Sequence, residues 1–153
     1  MIISFDLDDT LICPAGSVPK EPNRVPFFLK PVMKEPLRLG TCNLMTQLNQ
    51  YGYDILIITS SYRSPCLVRW WLLCYGISVV NVVNQNVYNA YLSRHSIHSY
   101  PSKNPRWFGS SLHVDDSEGV KLEGETYGFE VIVISPQDVN WTEKVLEAAV
   151  NLL

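Results

Sequence analysis

Short apolar runs rich in β-branched residues alternate with segments of helical periodicity along most of the chain. Strands are predicted over residues 2–5, 55–58, 77–83, 112–114 and 130–134. Strands that alternate with helices are typical of a parallel sheet whose crossover helices cover both faces. The sequence therefore predicts a doubly wound, Rossmann-like α/β fold with a five-stranded parallel sheet and helices on both faces.

The helical segments carry recognisable start and stop signals. Helices are predicted over residues 41–51, 64–76, 117–128 and 140–153, with a shorter one near 86–93. Thr41 is a candidate N-cap, and Ser64-Pro65 places a capping residue before a proline at the first helical position. Asn140 and Glu143 have the spacing of a capping box.

Length, charge and cysteine content restrict the class of protein. A chain of 153 residues suits a single core, so residues 1–153 are predicted to form one domain. The formal charge of -3 gives no general attraction to nucleic acid or anionic membranes. The four cysteines form no CxxC pair, and no leader or membrane-spanning run is recognisable, which favours a reduced, cytoplasmic protein. The oligomeric state is not predicted.

Residues 14–36 interrupt the alternation and hold six of the ten prolines. Proline breaks helices and cannot donate to a strand ladder, so this segment is predicted to be an extended flap. Its basic residues outnumber its acidic ones: Lys20, Arg24, Lys30 and Lys34 against Glu21 and Glu35. A solvated loop is the simpler interpretation, and a basic lip over an anionic substrate is the sharper one.

Acidic side chains follow two of the predicted strands. Asp6, Asp8 and Asp9 come directly after the first strand, and Asp115-Asp116 ends the fourth. Ligands of open α/β sheets bind outside the carboxyl ends of the strands, so the two clusters converge if these strands are neighbours. Crowded carboxylates repel one another unless a cation neutralises them, and oxygen ligands without His or Cys favour Mg²⁺. A turn or cap role explains one such Asp, but not both clusters.

The run Phe5-Asp6-Leu7-Asp8-Asp9-Thr10-Leu11 resembles the first motif of the haloacid dehalogenase (HAD) superfamily of phosphohydrolases. Three further motifs have counterparts in the expected order. Ile55 to Thr59 resembles the apolar strand ending in Ser or Thr, Lys103 the isolated lysine, and Leu112 to Asp116 the strand ending in an acidic pair. Together they span residues 5–116.

The resemblance implies a role for each matching residue. Asp6 is expected to be the nucleophile, and Asp8 the acid that protonates the leaving oxygen and then activates water. Thr59 is expected to hold a phosphoryl oxygen, and Lys103 to neutralise charge on the nucleophile and phosphate. Phosphoryl transfer suits such a set, because its catalysis is largely positioning and charge stabilisation. Lys103 also admits a purely structural interpretation.

The resemblance further implies that Asp6, the backbone carbonyl of Asp8 and Asp115 ligate Mg²⁺, with Asp116 as a ligand or a neighbour of one. Ser60 and Arg63 follow Thr59 closely and are candidate contacts for the substrate phosphate. A solvent-facing arginine before a helix is an equally good interpretation of Arg63.

Many HAD proteins carry a cap domain that closes over small substrates, and this chain is predicted to lack one. The expected activity is therefore that of a capless, Mg²⁺-dependent phosphatase with an open site. An open site favours a large phosphorylated substrate, such as a phosphoprotein or a nucleic acid end, although a metabolite fits if the flap closes. Phosphotransfer to another hydroxyl is equally compatible with these residues.

Two alternatives remain at this stage. The first is a catalytically silent HAD-fold binding or regulatory protein that keeps the metal site; retention of Asp8 argues against it. The second is a response-regulator receiver domain, which uses a similar set of residues but needs an acceptor Asp after a strand, whereas Asp54 precedes one. Trp70-Trp71 is interpreted as part of the core rather than as a partner surface.

Overall fold

The computed structural model describes residues 1–14, 16–28, 30 and 34–153. Its strands are β1 (Ile2–Phe5), β2 (Asp54–Ile58), β3 (Asn81–Val83), β4 (Ser110–Asp115) and β5 (Val131–Val133). Its helices are α1 (Thr41–Gln50), α2 (Pro65–Cys74), α3 (Gln85–Arg94), α4 (Glu118–Tyr127) and α5 (Trp141–Val150), with a 3₁₀ helix at Pro105–Phe108.

The strands form one five-stranded sheet in the order β3-β2-β1-β4-β5, and every pairing is parallel. The predicted doubly wound α/β fold is therefore confirmed. β1 lies at the centre between β2 and β4, so the carboxyl ends of these three strands share one edge. Receiver domains have the strand order 2-1-3-4-5, so the receiver interpretation is wrong.

The two faces of the sheet are covered by different helices. On one face, side chains such as Ile3, Phe5 and Val114 pack with α1, α2 and α5 into the main core. On the other, Leu56 and Ile58 pack with α3 and the residues of the 3₁₀ helix. Because successive strand residues alternate between faces, the apolar runs of the sequence fill both layers.

The strand boundaries differ from the sequence prediction where a buried residue is not paired with a neighbouring strand, or where a polar residue is. Residues 77–80 are not strand, although Ile77 and Val79 are buried, because the ladder with β2 begins only at Asn81. β4 begins at Ser110, earlier than predicted, and β5 spans only Val131–Val133. Apolar composition reports burial in each case and not hydrogen bonding.

None of the three predicted helix caps makes a side-chain capping bond. Ser64 lies at the N-cap position of α2 before Pro65, as predicted, but its hydroxyl does not cap the helix. Asn140 precedes α5 but makes no side-chain capping bond, so the capping box with Glu143 does not form. The N-cap of α1 is Gly40 in a left-handed conformation with φ of 92°, while the Thr41 hydroxyl donates to the carbonyl of Arg38. Glu21 caps this helix instead, because its Oε1 accepts the amides of Gly40 and Cys42.

The proline-rich flap is anchored at its base. Glu21 donates its amide to Leu37, and Leu39 donates to Pro19, so the two arms of the segment run side by side there. The described residues of 14–36 contain no helix or strand; residues 15, 29 and 31–33 lie outside the described part of the chain. No folded cap stands between β1 and α1 in the described ranges.

Trp70 and Trp71 are neighbours in α2 but differ in burial. Trp71 is 1% exposed and belongs to the main core, as predicted, whereas the core interpretation is wrong for Trp70, which is 59% exposed. Among the described residues, no helix has the length and apolar character needed to cross a bilayer.

The close approach of α4 to β5 generates a stability prediction. A Cβ at Gly124 would lie 2.5 Å from the carbonyl oxygen of Phe129, a backbone atom that cannot rotate away. Gly124→Ala is therefore expected to lower the free energy of unfolding by about 1–3 kcal/mol, measured by urea denaturation. Gly119→Ala in the same helix meets only the Ser117 hydroxyl at 3.3 Å and serves as the matched control. Equal stability of the two variants would contradict the prediction.

Candidate active site

Asp6 lies immediately after β1 and continues its ladder. Its amide donates to the carbonyl of Val114 at 2.8 Å, and its side chain is buried. The chain then turns sharply, since the amides of Leu11 and Ile12 both donate to Leu7 and Asp9 adopts a φ of 61°. This turn carries Asp8 back over the strand end, where its side chain is 46% exposed.

The tips of β1 and β4 meet as the sequence predicted. Ligand oxygens of Asp6, Asp115 and Asp116 lie within 4.8 Å of one another. Asp6 and Asp115 are buried and Asp116 is half-buried. Three carboxylates at this spacing form an all-oxygen donor set, which fits a hard divalent cation such as Mg²⁺. The carboxylate of Asp8 instead bonds Arg63.

Lys103 lies between the two buried carboxylates. Its Nζ donates to Asp6 Oδ1 at 2.6 Å and to Asp115 Oδ2 at 2.7 Å, with the lysine side chain only 8% exposed. Burial opposes the charge of this ammonium, but attraction to Asp6 and Asp115 outweighs burial and raises the pKa of Lys103. The surface position considered for Lys103 from sequence is thus wrong, because the lysine is buried against both acidic clusters, and its catalytic role stays a prediction.

The neighbouring carboxylates differ in acidity. Burial raises the pKa of Asp6 to about 7, although the charge of Lys103 opposes this rise. Burial acts in the same direction on Asp115, but hydrogen bonds and charge from His113 and Lys103 hold the pKa of Asp115 well below its usual range. The site therefore keeps one carboxylate firmly ionised beside another that ionises near neutrality.

Arg63 joins the flap to the turn after β1. Its Nη2 lies 3.0 Å from Asp8 Oδ1 and 3.4 Å from Glu35 Oε1. The predicted phosphate contact of Arg63 is thus replaced, in this state, by contacts to two carboxylates. Glu35 was not singled out from the sequence, and no pattern in the proline-rich segment distinguishes it.

Thr59 follows β2 at the same edge of the sheet. Its amide donates to Val83 at 2.9 Å, and its buried Oγ1 accepts the amide of Ser61 at 3.1 Å. Because β2 pairs with β1, Thr59 lies on the strand next to that of Asp6. Ser60 beside it is exposed to solvent.

Sequence reasoning missed two buried polar residues beneath the site. His113 Nε2 lies 3.0 Å from Asp115 Oδ2, and Ser4 Oγ lies 2.8 Å from His113 Nδ1. A signal for them exists in the sequence, since Ser4 lies two positions before Asp6 and His113 lies two positions before Asp115. Such spacing places each pair on one face of its strand.

No protein-family model matches the chain, and no curated protein matches it. Solved structures do. The HAD domain of effector protein Lem4 from Legionella pneumophila is 15% identical at a TM-score of 0.54, over 98% of this chain and 94% of that one. The chain has the haloacid dehalogenase fold. A predicted HAD-like family hydrolase from Porphyromonas gingivalis gives 11% identity and a TM-score of 0.51, over 96% of each chain.

A third similar structure is a chain of the Pnkp1/Rnl/Hen1 complex, with 16% identity and a TM-score of 0.53. The match covers 86% of this chain but only 45% of that one. At such identities the likeness concerns the fold alone.

The raised pKa of Asp6 generates a prediction for the metal-free protein. In the folded protein the pKa of Asp6 is about 7, above the ordinary 3.8. The contribution of Asp6 to the free energy of unfolding is therefore highest below about pH 4, where Asp6 is neutral in both states, and it falls as the pH rises through 7. Asn stays neutral, so Asp6→Asn is expected to raise the free energy of unfolding at pH 8 by more than about 1.4 kcal/mol, one pKa unit. The gain should vanish near pH 4.

Denaturation in EDTA across this pH range measures the difference. Asp54→Asn, at an exposed position at the opposite end of the strands, is the control for loss of one negative charge. A gain from Asp6→Asn that is independent of pH would contradict the linkage.

Proposed function

We propose that this protein is a Mg²⁺-dependent phosphomonoester hydrolase that works through a phospho-aspartyl intermediate on Asp6. The observation that carries this proposal is the Lys103 ammonium, which bonds the buried carboxylates of Asp6 and Asp115 at 2.6 and 2.7 Å at the tips of adjacent strands. A nucleophile, a fixed cation and a metal-ligand set then surround one point, where an incoming phosphate meets all three.

In the first step, an Asp6 oxygen attacks phosphorus as the bond to the leaving oxygen breaks. Asp8 donates a proton to that oxygen, which departs as a neutral alcohol. In the second step, Asp8 accepts a proton from water, whose oxygen attacks the phosphoryl group and breaks the bond to Asp6. Inorganic phosphate leaves, and both carboxyl groups return to their starting states.

Charge on the phosphoryl oxygens is met by groups that are already in place. Lys103 is fixed by its two carboxylate partners and supplies a permanent positive charge. A preorganised donor such as Lys103 stabilises the transition state without having to reorient during the reaction. The Thr59 hydroxyl lies after the neighbouring strand and donates to Ser61 Oγ at 3.2 Å, so it would exchange this partner for a phosphoryl oxygen.

The residues that would hold Mg²⁺ are Asp6, Asp115 and Asp116, together with the backbone carbonyl of Asp8. The bound ion would neutralise phosphate charge and orient it toward Asp6. Asp6 needs to be ionised to attack, and a nearby divalent charge favours its ionised form against the burial that raises its pKa.

The substrate proposed is a phosphate on a large partner, because no cap stands over the site among the described residues. Arg63 couples the acid Asp8 to Glu35 at the end of the flap. An arriving phosphate competes with these carboxylates for the guanidinium, so Arg63 is proposed to transfer from Asp8 and Glu35 to the substrate.

Loss of the nucleophile tests the covalent step. Asp6→Asn is expected to reduce hydrolysis of an aryl phosphate by at least about 10³-fold, because the amide cannot form the acyl phosphate. EDTA should abolish wild-type turnover and added Mg²⁺ should restore it. Asp54→Asn is the matched control and should retain full activity. Substantial hydrolysis by Asp6→Asn would refute the intermediate, and an inactive wild type that binds Mg²⁺ would favour the silent binding protein.

Substrate size tests the open site. The kcat/KM for phosphopeptides or 5′-phosphorylated oligonucleotides is expected to exceed that for small phosphorylated metabolites by about tenfold or more, because remote contacts lower the barrier only for large substrates. Steady-state phosphate release under identical Mg²⁺ concentrations measures this ratio. Faster hydrolysis of a small metabolite would contradict it and would point to closure by the flap.

A further inference from the structure

A chain of buried hydrogen bonds runs along the sheet beneath the site and ends at Asp115. Ser110 Oγ lies 2.8 Å from Ser4 Oγ, Ser4 Oγ lies 2.8 Å from His113 Nδ1, and His113 Nε2 lies 3.0 Å from Asp115 Oδ2. All four side chains are at least 96% buried. Of these four hydrogen-bonded residues, the proposed mechanism uses only Asp115.

The sheet itself does not require these polar groups. The parallel register pairs Ser4 with His113, and a shift of register between Ile2 and Ile3 brings Ser110 alongside. Apolar side chains at these positions would fill a strand face without any desolvation cost, whereas buried hydroxyl and imidazole groups are costly unless bonded. We therefore look for the role of these polar groups at Asp115, where their chain of hydrogen bonds ends.

Hydrogen-bond chemistry fixes the direction of the chain. The ionised carboxylate of Asp115 only accepts, so His113 Nε2 must donate to it. In a neutral imidazole the other nitrogen, Nδ1, is then an acceptor and takes the proton of the Ser4 hydroxyl. Asp115 thus sets the tautomer of His113, and the Ser4 hydroxyl holds the ring in place through its other nitrogen.

The two oxygens of Asp115 are used differently. Oδ2 accepts from both His113 and Lys103, while Oδ1 accepts the amide of Ser117 at 2.9 Å. A carboxylate oxygen offers about two lone pairs, so Oδ2 is fully used and Oδ1 keeps one among the contacts of the described residues. The bonds to Oδ2 consequently decide which oxygen is left for a cation and in which plane it lies.

We propose that His113, oriented by Ser4, is a positioning residue that fixes the Asp115 carboxylate with Oδ1 available to the metal. The inference rests on the proposed function, because it concerns the Mg²⁺ that this function requires. Removal of a partner that orients a metal-ligating side chain typically lowers metal affinity about 10–100-fold.

The test compares variants of His113 by Mg²⁺ binding without substrate, measured by calorimetry and by metal-induced thermal stabilisation. His113→Leu removes the donor and is expected to raise the Mg²⁺ dissociation constant about 10–100-fold. His113→Gln restores an N–H donor toward Asp115 and is expected to stay within about threefold of the wild type. A merely structural role would lower the stability of both variants and leave their Mg²⁺ affinities alike.

Variants of Ser4 and Ser110, at the far end of the hydrogen-bond chain, distinguish orientation of the His113 ring from side-chain packing. Ser4→Ala leaves His113 Nδ1 without its donor and is expected to weaken Mg²⁺ binding about three- to tenfold. Ser110→Ala is the matched control, because its hydroxyl also bonds the Leu112 carbonyl at 2.7 Å and lies one bond further away. If His113→Leu fails to fold, this serine pair decides the question.

The outcomes are distinct. The positioning role would be overturned if His113→Leu and His113→Gln bound Mg²⁺ with equal affinity. If the leucine variant does not fold, equal Mg²⁺ affinities of the Ser4 and Ser110 variants would overturn it. Either result leaves the phosphatase proposal intact. A wild type that neither binds Mg²⁺ nor releases phosphate would overturn the proposed function and this inference with it. Rescue by glutamine but not by leucine supports the role.

Discussion

The bond between one ammonium and two carboxylates at adjacent strand tips governs the organisation of this protein. Asp6 and Asp115 would repel each other strongly at this burial, and Lys103 offsets that repulsion with contacts of 2.6 and 2.7 Å. The arrangement depends on β1 and β4 being parallel neighbours, because parallel strands end at the same edge and adjacent tips lie within reach of one ammonium. The order of the strands therefore determines which charged side chains meet in the site.

The same sheet separates stability from chemistry by face. One face of β1 and β4 carries Phe5 and Val114 into the main core, while the other carries the serines, the histidine and the aspartates. Alternation along each strand produces this division, and the register shift between Ile2 and Ile3 adds Ser110 to the polar face. Apolar substitutions on one face can therefore change folding free energy without moving the carboxylates on the other.

Much of this was predictable from sequence, and what was missed follows a pattern. The doubly wound sheet followed from alternation, and convergence of Asp6 with Asp115 followed from their positions after strands. The start of β3 and the cap of α5 were wrong because pairing and capping depend on neighbours distant in sequence. His113 was missed because its spacing from Asp115 indicates a shared strand face but not a hydrogen bond, which depends on the packing of Ser4 from the neighbouring strand.

The anchored base of the flap has an evolutionary and engineering consequence. Residues 19–21 and 37–39 are hydrogen-bonded side by side, and Glu21 ties them to the start of α1. The two ends of the intervening segment therefore lie together, although Val25 within it packs into the main core, so an insertion at this neck has little influence on the geometry of the sheet. An additional module could be grafted at this neck, so a lidded relative could arise, or be built, by insertion alone.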